Sequence, residues 1–458
     1  MRPPLRMLPL ALLAACSEPS STARARADLL IDTAYTVGPP PVRSFPASKA
    51  TIDGWIAAGD SMAIRQHAWD IWASLTAPSG KGGLPVWRTF HTGHELFEMV
   101  RVPGDRIPVN PNERPTAFNL FSPSVANFIA RNGLNFSATM DSINSAFNAA
   151  NTPVAQRQVF VSPPDSLDPL PLVLKPVYQF IAGDRVTALP YWAGYDPAHS
   201  TNDTLPTPET WRQGVAVDPT GKLPAGSTIM MRVNGGPPLP LKVVHLSSFD
   251  YVKLTQPMVD SFTTFVRPQG DYVGKDNKRD SLSLMAMVKP GNIALLMAMH
   301  VTGKEIPNWT WQTFWWSPFP ADPLYGADRP TIITAPWNHY LMKIAYEMTV
   351  SPTDTTPRIV FNPYLETNLT GKFPLVTSAS WFGVQTNCMT CHRLAARGNA
   401  SDTGTYNFSR YGPAMLIQPG DSLLFAGITK TDFLWSVTFR AKAAEGQTQA
   451  RVRLRNRR

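Results

Sequence analysis

The chain has 458 residues, 45 of them proline and 29 glycine, and only 16% are charged; this composition points to many turns and irregular loops around a sizeable core and argues against a simple helical bundle. The formal charge of +9 is weak evidence for an anionic partner, because five arginines stand in the last eight residues, Arg451 to Arg458. Nucleic acid is not an expected partner, since no recognisable binding module is present and the chain begins with an export signal.

Arg2 and Arg6 precede a short, largely apolar run from Met7 to Ala15, a secretory signal too short to span a bilayer. It ends in Leu13-Ala14-Ala15-Cys16, which resembles the bacterial lipoprotein cleavage and lipidation motif. That resemblance implies that residues 1–15 are removed and that Cys16 becomes a lipidated first residue on the periplasmic face of a membrane. An ordinary signal peptide cleaved slightly downstream is the alternative, and it would leave the protein periplasmic or secreted. Residues 16–48 read as a tether and irregular lead-in, with Pro39, Pro40, Pro41 and Pro46 resisting helix. The main fold is expected over 49–445, a subdivision near residue 215 being left open. Residues 446–458 form a basic tail, either solvated or touching anionic headgroups or an acidic redox partner.

In Asp60 to Leu75, Ile64, Ala68, Ile71, Trp72 and Leu75 recur on one helical face, with Asp60 or Ser61 as cap; His67 at the face's edge reads as a packed histidine. His91, His94 and Glu95 stand close enough for a metal if a helix carries them, but no third firmly placed ligand follows. A helix is expected within Thr139 to Asn151, and Leu170 to Ile181 is strand-like although Pro171 and Pro176 interrupt it. Thr228 to Val233, then Asn234-Gly235-Gly236, then Leu239 to Val244 read as a hairpin, with His245 ending its second strand. Leu282, Leu284, Ala286 and Val288 alternate as in a strand, and Ile293 to Val301 reads as a buried one carrying His300. Four of the thirteen tryptophans then fall between Trp309 and Trp316, suited to the flank of a flat apolar cofactor or to an ordinary core. Residues 317–335 are loop-like, Trp337 to Met348 is expected as a short helix with His339, and Ile359 to Phe361 as a strand.

Cys388-Met389-Thr390-Cys391-His392 is the most informative stretch of the chain. Two cysteines two residues apart and followed at once by histidine form the attachment pattern of a c-type haem: the thiols add to the haem vinyl groups and the histidine reaches the iron as proximal ligand. Of the three cysteines in the chain, Cys16 belongs to the targeting segment, so Cys388 and Cys391 are both committed to this motif. A redox dithiol needs no His392, and a zinc site needs further ligands that do not lie near in sequence. Leu394 to Ala396 are expected to prolong the motif's helix up to Gly398, and Ser422 to Phe425 and Thr431 to Arg440 read as strands. One haem c, built into a large mixed α+β, loop-rich fold rather than a small all-helical cytochrome domain, is the expected arrangement.

The far side of the iron decides what such a haem does. Met415 or His300 are the candidate distal ligands, with His91, His94 or His339 behind them; an open site would permit ligand binding or peroxide chemistry. The stretches His67 to Trp72, Leu84 to Trp87, Met299 to Val301, Trp309 to Phe314 and Asn387 to Arg393 resemble those of large exported bacterial proteins of the cytochrome c family. The resemblance implies a single haem in a mixed fold and brings no catalytic residue beyond the haem site. Electron transfer with a periplasmic or membrane redox partner is the leading expectation. A peroxidase-like oxidoreductase, with His300 or His339 as acid/base and Arg232 or Arg440 stabilising charge, is the alternative, followed by a non-enzymatic haem sensor.

Overall fold

The computed structural model describes residues 36–98, 119–159, 170–194, 208, 211–259, 288–347, 360–366, 387–398, 420 and 422–441. Elements are numbered in chain order. The first are helices α1 (Lys49–Ala58) and α2 (Ser61–Thr76), then the short strands β1 (His91–Thr92) and β2 (Leu120–Phe121), and helices α3 (Pro123–Arg131) and α4 (Ser137–Ala149). Strands β3 (Leu172–Ile181), β4 (Thr187–Pro190), β5 (Gly214–Asp218), β6 (Thr228–Arg232), β7 (Pro238–His245), β8 (Tyr251–Lys253), β9 (Ile293–Gly303), β10 (Thr310–Trp316) and β11 (Tyr340–Ile344) follow. The last part carries the helical turns α5 (Pro363–Glu366) and α6 (Cys388–His392), strand β12 (Ala396–Arg397), α7 (Ser422–Phe425), β13 (Thr429–Lys430) and α8 (Trp435–Arg440). The chain is thus an α+β, loop-rich fold.

One seven-stranded sheet, ordered β1-β2-β3-β9-β10-β11 with β8 also on β9, is antiparallel throughout and organises the molecule. Side chains of successive strand residues point to opposite faces, and the two faces carry different cores. Leu120, Leu172, Leu174, Met299, Val301 and Phe314 face α2, whose Ala68, Trp69, Ile71, Trp72 and Leu75 form the matching apolar stripe. Trp72 stacks on Phe314 with ring centroids 4.3 Å apart. The Asp60 carboxylate caps α2 by accepting from the Ala63 N–H at 2.9 Å, and the helix stops at Ala77, whose extended backbone suits the residue before Pro78. Phe121, Val173 and Trp311 face the other way, against Val125, Ala126 and Ile129 of α3, Met140 of α4, Met389 of α6 and Val437 of α8. The Cys388–His392 turn therefore sits on the sheet face opposite to α2.

A second sheet, β4-β5-β7-β6, holds the expected hairpin: β6 and β7 pair antiparallel, turning through Asn234 and Gly235 at positive φ. His245 ends β7 with Nε2 2.8 Å from the Leu223 carbonyl.

Four local expectations differ from the structure. Tyr340–Ile344 is a strand, preceded only by the short turn Trp337–His339, because it pairs with Gln312–Trp316 and that pairing overrides a helix-compatible sequence. The motif's helix ends at His392 rather than running to Gly398: the Ala395 N–H closes on the His392 carbonyl, and Ala396 and Arg397 then pair with Lys430 and Thr429. Residues 422–440 are α7, β13 and α8 rather than two strands. Asp432 and Phe433 take left-handed backbone, φ 50° and 68°, which breaks the extended run, and Leu434, Val437 and Ala441 then share a helical face buried in the core of the second sheet face. Val360 and Phe361 are buried without forming a strand, and the alternating Leu282 to Ala286 lie outside the described residues.

Candidate functional site

Met389 is fully buried among the apolar residues of the second face and anchors α6, and Asn387 just before it is buried as well. His392 lies four residues after Cys388, one helical turn on, so imidazole and thiol rise from one side of α6. Cys388 packs against the edge of the core; the side chain of Cys391 lies outside the described residues.

The His392 ring is gripped on two sides. Trp311 of β10 lies against it, centroids 4.6 Å apart and planes tilted by 52°, and Nδ1 is 2.8 Å from the Phe433 carbonyl oxygen. A carbonyl only accepts, so Nδ1 carries the hydrogen and Nε2 keeps its lone pair. Burial pushes the imidazole down to about 4; the Phe433 carbonyl and Glu366 oppose this, while the neighbouring His300 and Lys175 depress it further. His392 is accordingly neutral at physiological pH, the form that binds metal.

This shift has a measurable consequence for the haem-free protein. Its folded pKa lies below the unfolded value, so between pH 6.5 and 4 the unfolded chain takes up a proton that the folded one refuses, and stability falls as pH falls. A loss of about 3 kcal/mol across that window is expected in urea midpoints, and His392→Gln should remove most of it.

The groups that His392 senses come from the adjoining row of the sheet. Lys175 pairs with His300, His300 with Thr313 and Thr313 with Lys343, so β3, β9, β10 and β11 carry these four side chains on the face that holds Trp311. His300 is the diagonal neighbour of Trp311, at Cα separations of roughly 7–8 Å for such positions. Glu366 of α5 lies over the row, with Oε1 3.3 Å from His300 Nε2 and both side chains one-fifth exposed (20% each). Its Oε2 accepts from the Asn362 N–H at 2.6 Å. Burial pushes the Glu366 carboxyl up, but the His300 charge and hydrogen bond, the Asn362 N–H and Lys175 outweigh it and hold the group below its ordinary value. Burial lowers the Lys343 ammonium, with Glu366 opposing. Phe433, Lys175, Lys343 and Glu366 carry no sequence signal for this site, because only the strand register and the chain reversals bring them to His392; Trp311 lies in the tryptophan cluster that the sequence marks as a cofactor flank or core.

His91, His67 and His339 are held elsewhere. His91 shares the Trp311 face, being linked to it through the pairs His91–Phe121, Phe121–Val173, Val173–Thr302 and Thr302–Trp311. Four strand spacings of about 4.8 Å put it roughly 19 Å away. His91 also stands in a strand and His94 in the turn His94–Glu98, so no single helix carries the pair; His91 Nδ1 is 3.8 Å from Glu95 Oε2. The His94 side chain lies outside the described residues. His67 has both ring nitrogens engaged, Nδ1 with the Tyr346 hydroxyl at 2.8 Å and Nε2 with Glu305 at 3.0 Å. His339 stacks on Trp316, five residues along β10 from Trp311 and hence about 17 Å away by strand rise. Arg232 bonds the Gly236 carbonyl in the second sheet. Met415, Cys16, the tail 446–458 and the Arg440 side chain lie outside the described residues. Among the described residues no three His, Cys, Asp or Glu side chains form a group that could hold a metal ion, and no helix is long and apolar enough to cross a membrane.

No family model matches the chain, and neither a curated protein nor a solved structure matches it.

Proposed function

We propose that the chain is an exported, lipid-anchored protein with one c-type haem, transferring electrons to a redox partner at the periplasmic face of a membrane. The observation that carries this reading is the state of His392: neutral, fixed by the Phe433 carbonyl through Nδ1, and left with a free Nε2 lone pair one helical turn from Cys388. A haem iron needs an axial nitrogen of this kind, and an Nδ1–H bond to a backbone carbonyl is the usual device that orients it. Cys388 and Cys391 would hold the porphyrin through thioethers and His392 would take the iron. The bound haem supplies one-electron chemistry; the protein supplies the tautomer, the aromatic wall of Trp311 and a largely apolar bed. Met415 or His300 remain the proposed distal ligands, and Cys16 the proposed membrane anchor.

The His300–Glu366 pair favours a second reading. A carboxylate that orients an imidazole, near His392, would supply the acid/base group that a peroxidase-like oxidoreductase requires. Electron spin resonance of the oxidised, haem-loaded protein separates the two. A low-spin signal that cyanide and peroxide leave unchanged is expected for electron transfer. A high-spin signal that cyanide shifts would transfer the function to the second reading, and Glu366→Gln should then slow the peroxide reaction on the order of a hundredfold.

A further inference from the structure

The carbonyl that fixes His392 belongs to an unusual turn. Asp432 and Phe433 are consecutive non-glycine residues in the left-handed region, a conformation that few residues adopt singly and fewer in succession. Such a turn persists only where its surroundings over-determine it. Here they do so through one buried ion pair: Lys304 Nζ lies 2.8 Å from Asp432 Oδ1, with the two side chains only 2% and 1% exposed. The same carboxylate oxygen accepts from Gln158 Nε2 at 3.0 Å. Lys304 also donates to the Pro307 carbonyl at 2.8 Å and lies over the Trp309 ring at 5.2 Å, so the β9–β10 connection is wound about its ammonium. That connection leads directly into Trp311, the other wall of the His392 ring.

A buried ion pair is seldom more stabilising than apolar residues of the same volume, because both ions lose their hydration. Stability alone does not account for Lys304 and Asp432. What the pair does do is join the two segments that grip His392, one through Trp311 and one through Phe433. We propose that Lys304 and Asp432 are positioning residues for His392: the pair holds the Phe433 carbonyl against Nδ1 and thereby fixes which nitrogen is offered to a metal. The inference builds on His392 as the haem-binding histidine, but the positioning itself exists before any haem is attached.

The test uses nitrogen-15 NMR of the His392 ring in the full-length haem-free protein. The wild type is expected to show a slowly exchanging Nδ1 proton and a single tautomer. In the double variant Lys304→Met, Asp432→Asn, which removes both charges while asparagine still tolerates the left-handed turn, solvent exchange of that proton should rise about tenfold and the second tautomer should appear, the equivalent of losing one hydrogen bond. Lys304→Arg, which keeps the charge, should retain the wild-type spectrum. If the double variant does not fold, Asp432→Asn alone gives the same readout. Unchanged exchange and tautomer in a variant whose melting temperature has dropped would show a purely structural pair and overturn the proposal. In the haem-loaded protein the variant should still bind haem covalently while its axial-ligand spectrum shifts. A wild type that never takes up haem would defeat the haem reading and leave the NMR result standing by itself.

Discussion

Replacing Cys388 and Cys391 together by serine is expected to abolish covalent haem retention. After denaturing electrophoresis the wild-type band should keep its haem stain and the double variant should have none. The bond requires a thiol adding to a vinyl group, and a hydroxyl, although nearly the same size, does not make it. The fold should survive. Cys388 only borders the core, whereas the residue that anchors the turn is the fully buried Met389; a change of about 1 kcal/mol or less in haem-free stability is expected. His392→Ala is the informative companion. It leaves both thiols in place, so a single covalent haem can persist, but the axial nitrogen is gone and the spectrum should turn high-spin. Wild-type protein that releases all its haem on denaturation, or that is isolated with Cys388 and Cys391 joined as a disulfide, would falsify the attachment.

The proposed haem-attachment motif is legible in the sequence because the chemistry it would serve is local: two thiols and an imidazole within one helical turn. Its surroundings are non-local and were much less legible. The tryptophan-rich stretch reads equally as cofactor flank or core, and the fold assigns it both ways. Trp311 faces His392, whereas Trp316 stacks on Phe249 in the opposite core. Strand alternation carries that distinction, but only once the register of β10 on β9 fixes which face is which. His300 could be picked out because it follows an apolar run. Its partner Glu366 could not, since nothing in Asn362 to Glu366 announces that α5 will lie over β9. The missed helix α8 has a readable signal, Leu434, Val437 and Ala441 at helical spacing, which the β-prone residues between them masked. Asp432 and Phe433 have no such signal: the partner that meets the Asp432 carboxylate in this left-handed turn, Lys304, stands 128 residues away.

Glu305→Ala is expected to be among the most destabilising single substitutions, costing about 3–5 kcal/mol in urea denaturation. Glu305 is 1% exposed and its carboxylate accepts from the Ala47 N–H at 2.9 Å, His67 Nε2 at 3.0 Å and the Thr310 hydroxyl at 3.2 Å. Alanine leaves the Ala47 N–H without this acceptor, the Thr310 hydroxyl with only the Gly303 carbonyl, and His67, itself fully buried, with only its Tyr346 contact. Glu305→Gln retains the shape and one accepting oxygen, so its cost should be nearer 1–2 kcal/mol. Equal, small losses for the two variants would show that the network contributes little. The position of Glu305 makes the result bear on the site as well. Lys304 and Glu305 are neighbours in sequence, yet one reaches Asp432 beside the haem motif and the other reaches α2 and the lead-in before α1. The β9–β10 connection is thus fastened to both sides of the sheet by two adjacent charged residues. Releasing the Glu305 side should loosen Trp311 only indirectly, so Glu305→Ala should lower stability while leaving exchange of the His392 Nδ1 proton near the wild-type rate, whereas the Lys304 and Asp432 changes should raise that exchange.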